Sequence, residues 1–297
     1  MSSPVFTGSG VAIVTPMNND TSVNFDKLGQ MIDFQLENGT DAIITCGTTG
    51  ESAVLNHKEH CDVISYTVER VNGKVPVIAG TGSNDTSYSV ELTKGAQNLG
   101  VDAILSVTPY YNKTSQDGLI AHFNKIADSV NLPIILYNVP SRTGCDIKPE
   151  TYQKLSKHQN IVATKEANGN ISSVLQTIAL CGGNLDIYSG NDDQVVPIIA
   201  VGGIGVISVF ANILPKEMHT IAQLMLDGKI EEALKLHLHY LDLMNTLFID
   251  VNPIPVKQAL NILGYECGPA RLPLVPLNDA NTVKLKACLK KYNLITS

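Results

Sequence analysis

The 297-residue chain contains no tryptophan, and only 16% of its residues are charged. No two of its six cysteines stand at the spacing of a metal site or a redox motif. Scattered cysteines in a long chain are typical of reduced, cytoplasmic proteins. The net charge of −7 comes without a basic stripe, so nucleic acid is not an expected partner.

Long uninterrupted hydrophobic segments are also scarce. The N-terminus lacks a basic region followed by an apolar stretch, so no secretory signal is expected. The uncharged stretch 195–215 has the length of a membrane span, but Pro197, Gly202, Gly203 and Gly205 interrupt it. It divides instead into a short buried helix, a turn and a buried strand. We therefore expect no contact with a membrane.

Short runs rich in Val and Ile alternate with longer amphipathic segments. Eight such runs have the near-continuous hydrophobicity of strands buried on both faces: 11–14, 42–45, 75–79, 103–107, 134–137, 161–165, 186–189 and 205–209. The helical patterns between them begin at cap residues such as Asn24, Asn56, Ser115 and Asn170. Eight βα units predict an α/β protein with a closed (β/α)8 TIM barrel over residues 1–228 and a C-terminal helical domain over 229–297. The alternative is an open doubly wound sheet, which usually has fewer strands.

In such a barrel the chemistry lies where the strands end, so the residues that follow each strand are the candidates. Thr48 and Thr49 follow the second strand between two glycines, where backbone N–H groups and hydroxyls suit a small carboxylate. A tight turn is the alternative interpretation. Tyr110 and Tyr111 follow the fourth strand, either as packing residues or as proton carriers.

The fifth and sixth strands end in Tyr137 and Lys165. Arg142 follows the fifth strand and offers a bidentate site for a carboxylate, unless it is an ordinary surface residue. Lys165 shares a strand face with Ile161 and Ala163 by the period of two. Burial there lowers the pKa of the amine and makes it a nucleophile toward a ketone. The alternative is a salt bridge to Glu166.

Other common catalytic signatures are missing. His57 and His60 stand three residues apart, but no third ligand is evident, so no metal site is expected. The glycines match no nucleotide-phosphate fingerprint, and no Ser or Cys nucleophile motif is present. We therefore expect chemistry without a metal or a cofactor.

Five motifs in order resemble the dihydrodipicolinate synthase and N-acetylneuraminate lyase superfamily: GTTGES, TPYYNKT, YNVPSRTG, TKEANGN and SGNDD. The resemblance runs from Gly8 to the C-terminal helices and implies the same barrel and helical region. Arg142 favours the synthase branch. That branch condenses pyruvate with L-aspartate 4-semialdehyde to 4-hydroxy-tetrahydrodipicolinate, toward diaminopimelate and lysine. The alternatives are an N-acetylneuraminate lyase, a 2-keto-3-deoxy sugar acid aldolase and, more remotely, a keto-acid-binding barrel without turnover.

The resemblance also implies residue roles. Lys165 forms an imine with pyruvate and Tyr137 passes protons at that imine, while Thr49 and Tyr111 continue the relay. The implied substrate-binding residues are Thr48, Thr49, Arg142, Gly190 and Ile207. Tyr111 would enter the site of a neighbouring subunit, which implies a homotetramer built as a dimer of dimers.

An inhibitory site for L-lysine is a further implication of the resemblance. The matching positions are Ser52, Ala53, Leu55, His57, His60, Asn84, Tyr88 and Tyr110. Tyr88 stands where lysine-sensitive relatives often carry Glu, and losing a carboxylate partner weakens binding by about 1–3 kcal/mol. Thr164 and Asn168 also depart from the family, which usually has an apolar residue and Ser or Thr at these positions.

Overall fold

Eight parallel strands close into a barrel in chain order in the computed structural model, which describes residues 3–296. The strands are β1 (Gly8–Ala12), β2 (Ala42–Thr45), β3 (Val77–Gly80), β4 (Ala103–Val107), β5 (Ile134–Asn138), β6 (Ile161–Glu166), β7 (Asp186–Ser189) and β8 (Gly205–Ser208). The last strand pairs with the first, with Gly8 opposite Gly205. This closure confirms the predicted (β/α)8 barrel and excludes the open doubly wound sheet.

Helices surround the barrel and continue after it. They are α1 (Phe25–Glu37), α2 (His57–Val71), α3 (Thr86–Asn98), α4 (Gln116–Ala127), α5 (Pro140–Thr143), α6 (Pro149–Leu155), α7 (Ile171–Cys181), α8 (Val195–Ala200), α9 (Pro215–Leu226), α10 (Ile230–Thr246), α11 (Ile254–Ile262) and α12 (Asp279–Lys291). The predicted caps Asn24, Asn56, Ser115 and Asn170 each accept a backbone N–H through the side chain. At α2, Asn56 and Glu59 form a reciprocal capping box.

The first strand lies earlier in the chain than hydrophobicity predicted. It begins at Gly8, because small residues are needed where β1 passes close to its neighbours. A Cβ atom at Gly10 would lie 2.6 Å from the Ile44 side chain and 2.9 Å from Phe6. The start of β1 is rich in small residues and is not hydrophobic. The pattern of hydrophobic residues therefore did not predict a strand there.

The predicted face of β6 is wrong at one residue. The pairing of β5 with β6 shifts by one residue between the Ile134–Ile161 pair and the Ile135–Ala163 pair. Ile161 consequently packs in the outer core between the barrel and the helices, whereas Ala163 belongs to the core inside the barrel. Lys165 remains on the inner face with Ala163.

The N-terminal end of the barrel is closed by an aromatic stack. The Tyr188 ring packs on Phe6 with ring centroids 4.4 Å apart, and the Tyr188 hydroxyl donates to the Phe6 carbonyl at 2.6 Å. Phe6 precedes β1, so this stack lies at the end of the barrel where the strands begin. The barrel interior is therefore reached from the opposite end, where the strands finish.

The C-terminal region is helical, and no strand occurs among the described residues after Ser208. The predicted domain division after residue 228 falls in the turn between α9 and α10 and stays a prediction. None of the helices in the described part of the chain combines the length and apolar character needed to cross a bilayer.

A buried ion pair attaches the C-terminal region to the barrel. Lys257 on α11 donates to the Glu51 carboxylate at 2.6 Å, and the two side chains are only 3% and 0% exposed. Lys257 also donates to the carbonyls of Thr15 and Pro269, while the Arg271 N–H donates to the other Glu51 oxygen at 2.8 Å. Both buried charges are thereby fully engaged, which is the condition under which a buried pair is tolerated.

Replacing Lys257 by Met is expected to lower the free energy of unfolding by about 3–5 kcal/mol, because the Glu51 carboxylate stays buried without its partner. Urea-induced unfolding measures this change. Lys58→Met is the matched control, since the Lys58–Asp62 pair lies in solvent and its loss should change stability far less. Equal effects of the two substitutions would contradict the structural role of the buried pair.

Candidate active site

Lys165 lies inside the barrel near the end of β6, in register with Tyr137 on β5 and Tyr188 on β7. Its side chain is buried, and the ammonium nitrogen lies 4.3 Å from the centre of the Tyr137 ring. Within residues 3–296 it forms no ion pair. The amine is therefore desolvated and has no counter-ion in contact.

This environment changes the acidity of the amine. The pKa of Lys165 is lowered to about 8, mainly by burial; the negative charge of Asp192 opposes the shift and the positive charge of Arg142 adds to it. With such a pKa, roughly a tenth of the amine is neutral at pH 7, the form that attacks a carbonyl carbon.

The predicted alternative, a salt bridge between Lys165 and Glu166, is wrong. Successive residues of a strand point to opposite faces, so Glu166 points out of the barrel when Lys165 points in. The Glu166 carboxylate accepts hydrogen bonds from the Asn138 amide, the Tyr152 hydroxyl and the Asn168 N–H. Its burial raises the pKa of Glu166 to about 7.

Tyr137 is the buried neighbour of the amine. Burial raises the pKa of Tyr137, whereas the positive charge of Arg142 acts in the opposite direction. Thr49 faces elsewhere: it is 2% exposed, and its hydroxyl accepts from the Asn252 amide at 3.0 Å. The predicted relay through Thr49 stays a prediction.

One cavity of about 540 Å³ joins two sets of predicted residues. Its lining includes residues predicted to bind substrate and residues predicted to bind the inhibitor: Thr48, Ser52, Ala53, Leu55, His60, Tyr88, Tyr110 and Arg142. His57 and Asn84 are not among its lining residues. The His57 ring is 6.1 Å from the Tyr88 ring, and the Asn84 carbonyl accepts from Asn112. The sequence motifs gave no indication that the two sets share one space.

Gly190, Ile207 and Tyr111 occupy different places. A Cβ atom at Gly190 would lie 3.2 Å from Cγ of Lys165, so glycine lets this loop pass close to the lysine stem. Ile207 is buried in the inner core that contains Tyr137. Tyr111 is 90% exposed and does not line the cavity of its own chain.

Sequence reasoning missed two buried polar residues near the site. Asp192, within the SGNDD motif, is buried and accepts from the N–H groups of Val209 and Phe210. Its acidic character directly after a buried strand was a usable signal. Asn252 lines the cavity and holds Thr49, but it comes from the C-terminal region and nothing in its local sequence marks it.

The described residues contain no cluster of His, Cys, Asp and Glu suited to a metal ion. The His60 imidazole is instead hydrogen-bonded to the Gly80 carbonyl at 2.8 Å. A second cavity of about 570 Å³ lies between the β1–α1 loop and the C-terminal region and contains none of the predicted site residues.

The geometry defines a class of protein. A buried amine of lowered pKa, a tyrosine ring against it and an exposed arginine at the cavity are suited to a carbonyl compound that carries a carboxylate. The chain is thus a (β/α)8 barrel with a buried lysine of lowered pKa in its interior.

Comparison with known proteins gives the family. The model of the dihydrodipicolinate synthetase family matches residues 5–292. The 4-hydroxy-tetrahydrodipicolinate synthase of Acetivibrio thermocellus is 55% identical over 295 residues, which cover 99% of this chain and 100% of that protein. The chain therefore belongs to the dihydrodipicolinate synthetase family, and the resemblance inferred from five motifs is confirmed.

Solved structures agree with this assignment. The chloride-inhibited dihydrodipicolinate synthase from Acinetobacter baumannii, complexed with pyruvate, has a TM-score of 0.96 and 42% identity, covering 97% of this chain and 99% of that one. The dihydrodipicolinate synthase from Cyanidioschyzon merolae, with lysine bound, has a TM-score of 0.95 and 39% identity, covering 98% and 99%.

Proposed function

We propose that this protein condenses pyruvate with L-aspartate 4-semialdehyde to 4-hydroxy-tetrahydrodipicolinate, as a class I aldolase of the lyase type. The observation that carries the proposal is Lys165, a buried amine whose pKa is lowered to about 8 inside a barrel of this family. The neutral amine adds to the ketone carbon of pyruvate, and loss of water gives an imine.

The imine then acts as an electron sink. Loss of a methyl proton gives an enamine, whose carbon forms the new bond to the aldehyde carbon. The amine of the second substrate next attacks the imine carbon, closes the ring and releases Lys165. Tyr137 exchanges protons at the imine, and its raised pKa keeps the hydroxyl protonated at neutral pH. Thr49 and Tyr111 continue the proton relay.

The remaining predicted residues bind the two carboxylates. Thr48 and Thr49, with the N–H groups of their loop, hold the carboxylate of pyruvate, and Gly190 and Ile207 close the space around Lys165. Arg142 is exposed at the cavity and binds the carboxylate of the semialdehyde through two parallel hydrogen bonds.

We also propose a homotetramer, a dimer of dimers, in which Tyr111 enters the neighbouring site and ends the relay. Tyr111 supports this because a 90% exposed aromatic ring is held at a φ of +69°, a conformation that a bulky side chain rarely adopts. Sedimentation that finds only monomers at full activity would remove this part of the proposal.

A cytoplasmic location is part of the proposal as well. All six cysteines are free, as is usual in a reducing compartment. Cell fractionation that recovers the protein in another compartment would exclude it.

The imine is tested by incubation with pyruvate, borohydride reduction and mass spectrometry of the peptides. We expect a reduced pyruvyl adduct on Lys165 and none in Lys165→Met. Because the protonated amine is unreactive, the initial trapping rate should rise about tenfold per pH unit below pH 8 and level off above it. An adduct on another lysine, or none, would remove the mechanism.

The second substrate is tested by Arg142→Ala. We expect kcat/KM for the semialdehyde to fall at least about a hundredfold, because two charge-assisted hydrogen bonds of about 1.5–3 kcal/mol each are lost. Trapping of pyruvate at pH 9 should change little. Arg142→Lys is the control, since it keeps the charge without the bidentate geometry. Its kcat/KM for the semialdehyde should lie between those of the unaltered protein and Arg142→Ala. Unchanged turnover of the semialdehyde in Arg142→Ala would favour a sugar-acid aldolase.

We further propose that L-lysine binds in the same cavity as a weak inhibitor. Six of the eight matching residues line it, and the Tyr88 ring takes the place of a carboxylate. Tyr88→Glu is expected to lower the inhibitory lysine concentration about tenfold or more, since one charged hydrogen bond is gained. Steady-state rates against L-lysine measure this effect, and no inhibition of either protein at millimolar lysine would refute it.

A further inference from the structure

A second pair of side chains lies behind Lys165 and Tyr137 on the outer face of the barrel. Tyr137 stands opposite Lys165 in the pairing of β5 with β6, and the next registered pair is Asn138 with Glu166. Because strand residues alternate between faces, the first pair points inward and the second outward. The Asn138 amide donates to both oxygens of Glu166, at 3.1 and 3.2 Å.

The Glu166 carboxylate is fully occupied by donors. The Tyr152 hydroxyl donates from α6 at 2.9 Å, and the Asn168 N–H donates from the loop after β6 at 2.9 Å. Glu166 is 5% exposed, and Asn138 and Tyr152 are completely buried. These donors favour the ionised carboxylate, which only accepts hydrogen bonds, and they oppose the burial that raises the pKa of Glu166 to about 7.

The backbone around Glu166 is also held by hydrogen bonds. Its carbonyl accepts from the N–H of Gly190 at 2.8 Å, and the following Ala167 N–H donates to the Asn138 carbonyl at 2.9 Å. Gly190 is the residue that passes close to the Lys165 stem. A displacement of Glu166 therefore moves both the lysine and the loop against it.

Stability alone does not require a carboxylate at this position. Burying a charged group is expensive, and a well-packed apolar pair of similar volume is often at least as stable. A carboxylate with three donors from β5, α6 and the β6–α7 loop instead permits one strand register and one orientation.

We propose that Glu166 is a positioning residue: its outward carboxylate fixes β5 against β6 at the register where Tyr137 and Lys165 meet inside the barrel. This inference rests on the proposed function, because it assigns Lys165 and Tyr137 to the reaction. Burial is the main cause of the raised pKa of Tyr137, and Glu166 in its ionised form raises it further.

The test is Glu166→Gln, which has the same size but presents an NH2 group to donors. We expect the trapping rate at saturating pyruvate and kcat to fall about tenfold to a hundredfold, because small misplacements of reacting groups have effects of this size. The KM for pyruvate should stay within about twofold, since the carboxylate-binding loop after β2 is untouched.

Asp41→Asn is the matched control for lost stability. It makes the same carboxylate-to-amide change at the other end of the barrel, where Asp41 accepts from the Ser9 N–H at 2.7 Å and contacts His219 at 2.8 Å. It should lower the melting temperature and leave the trapping rate within about twofold. If Glu166→Gln slows trapping no more than Asp41→Asn does, Glu166 serves stability only and the inference is wrong.

Asn138→Leu removes the hydrogen bond between Asn138 and Glu166 from the other strand. It replaces Glu166→Gln if that variant does not fold. The double variant should trap pyruvate no more slowly than the slower single variant, because both substitutions break one unit. Independent, multiplying losses would overturn the inference. Failure of the unaltered protein to trap pyruvate would instead refute the proposed function, so the two failures are distinguishable.

Discussion

Desolvation of the Lys165 ammonium group is the constraint on which the site depends. The lysine keeps a pKa of about 8 in the folded chain against 10.5 as the ordinary value. That difference corresponds to about 3 kcal/mol of stability given up at neutral pH. The unfolded chain holds the extra proton, so stability rises with pH between about 8 and 10.5. The closed barrel and its large outer core supply the surplus that permits this.

Neither of the two buried carboxylates nearest in sequence to the site forms an ion pair with Lys165. Glu166 faces outward and is saturated by donors, while Asp192 is engaged by backbone N–H groups and forms no ion pair with Lys165. Arg142 adds a charge of the same sign, which lowers the pKa of the amine. The positive charge near the amine is therefore local, in a chain whose net charge is −7.

The C-terminal helices belong to the same arrangement. Lys257 holds Glu51, and Asn252 holds Thr49, so the GTTGES loop is fixed from the C-terminal side at two points. Glu51 adopts a φ of +56°, a left-handed conformation that needs such support. The loop lines the cavity shared by the proposed substrate and inhibitor residues, so an occupant of one part lies against residues that serve the other.

The sequence by itself determined the barrel, its helix caps and the motif residues, because these follow from local periodicity, from hydrogen bonds within four residues, as between Asn56 and Glu59, and from family motifs. It did not predict where β1 begins, because Gly8 and Gly10 are required by close contacts with neighbouring segments and not by a hydrophobic pattern. Only the tertiary structure decided that Ile161 faces outward, that Asn252 donates to Thr49, and that Glu166 pairs with Asn138. These depend on register shifts, loop direction and contacts between distant segments, which no local pattern encodes.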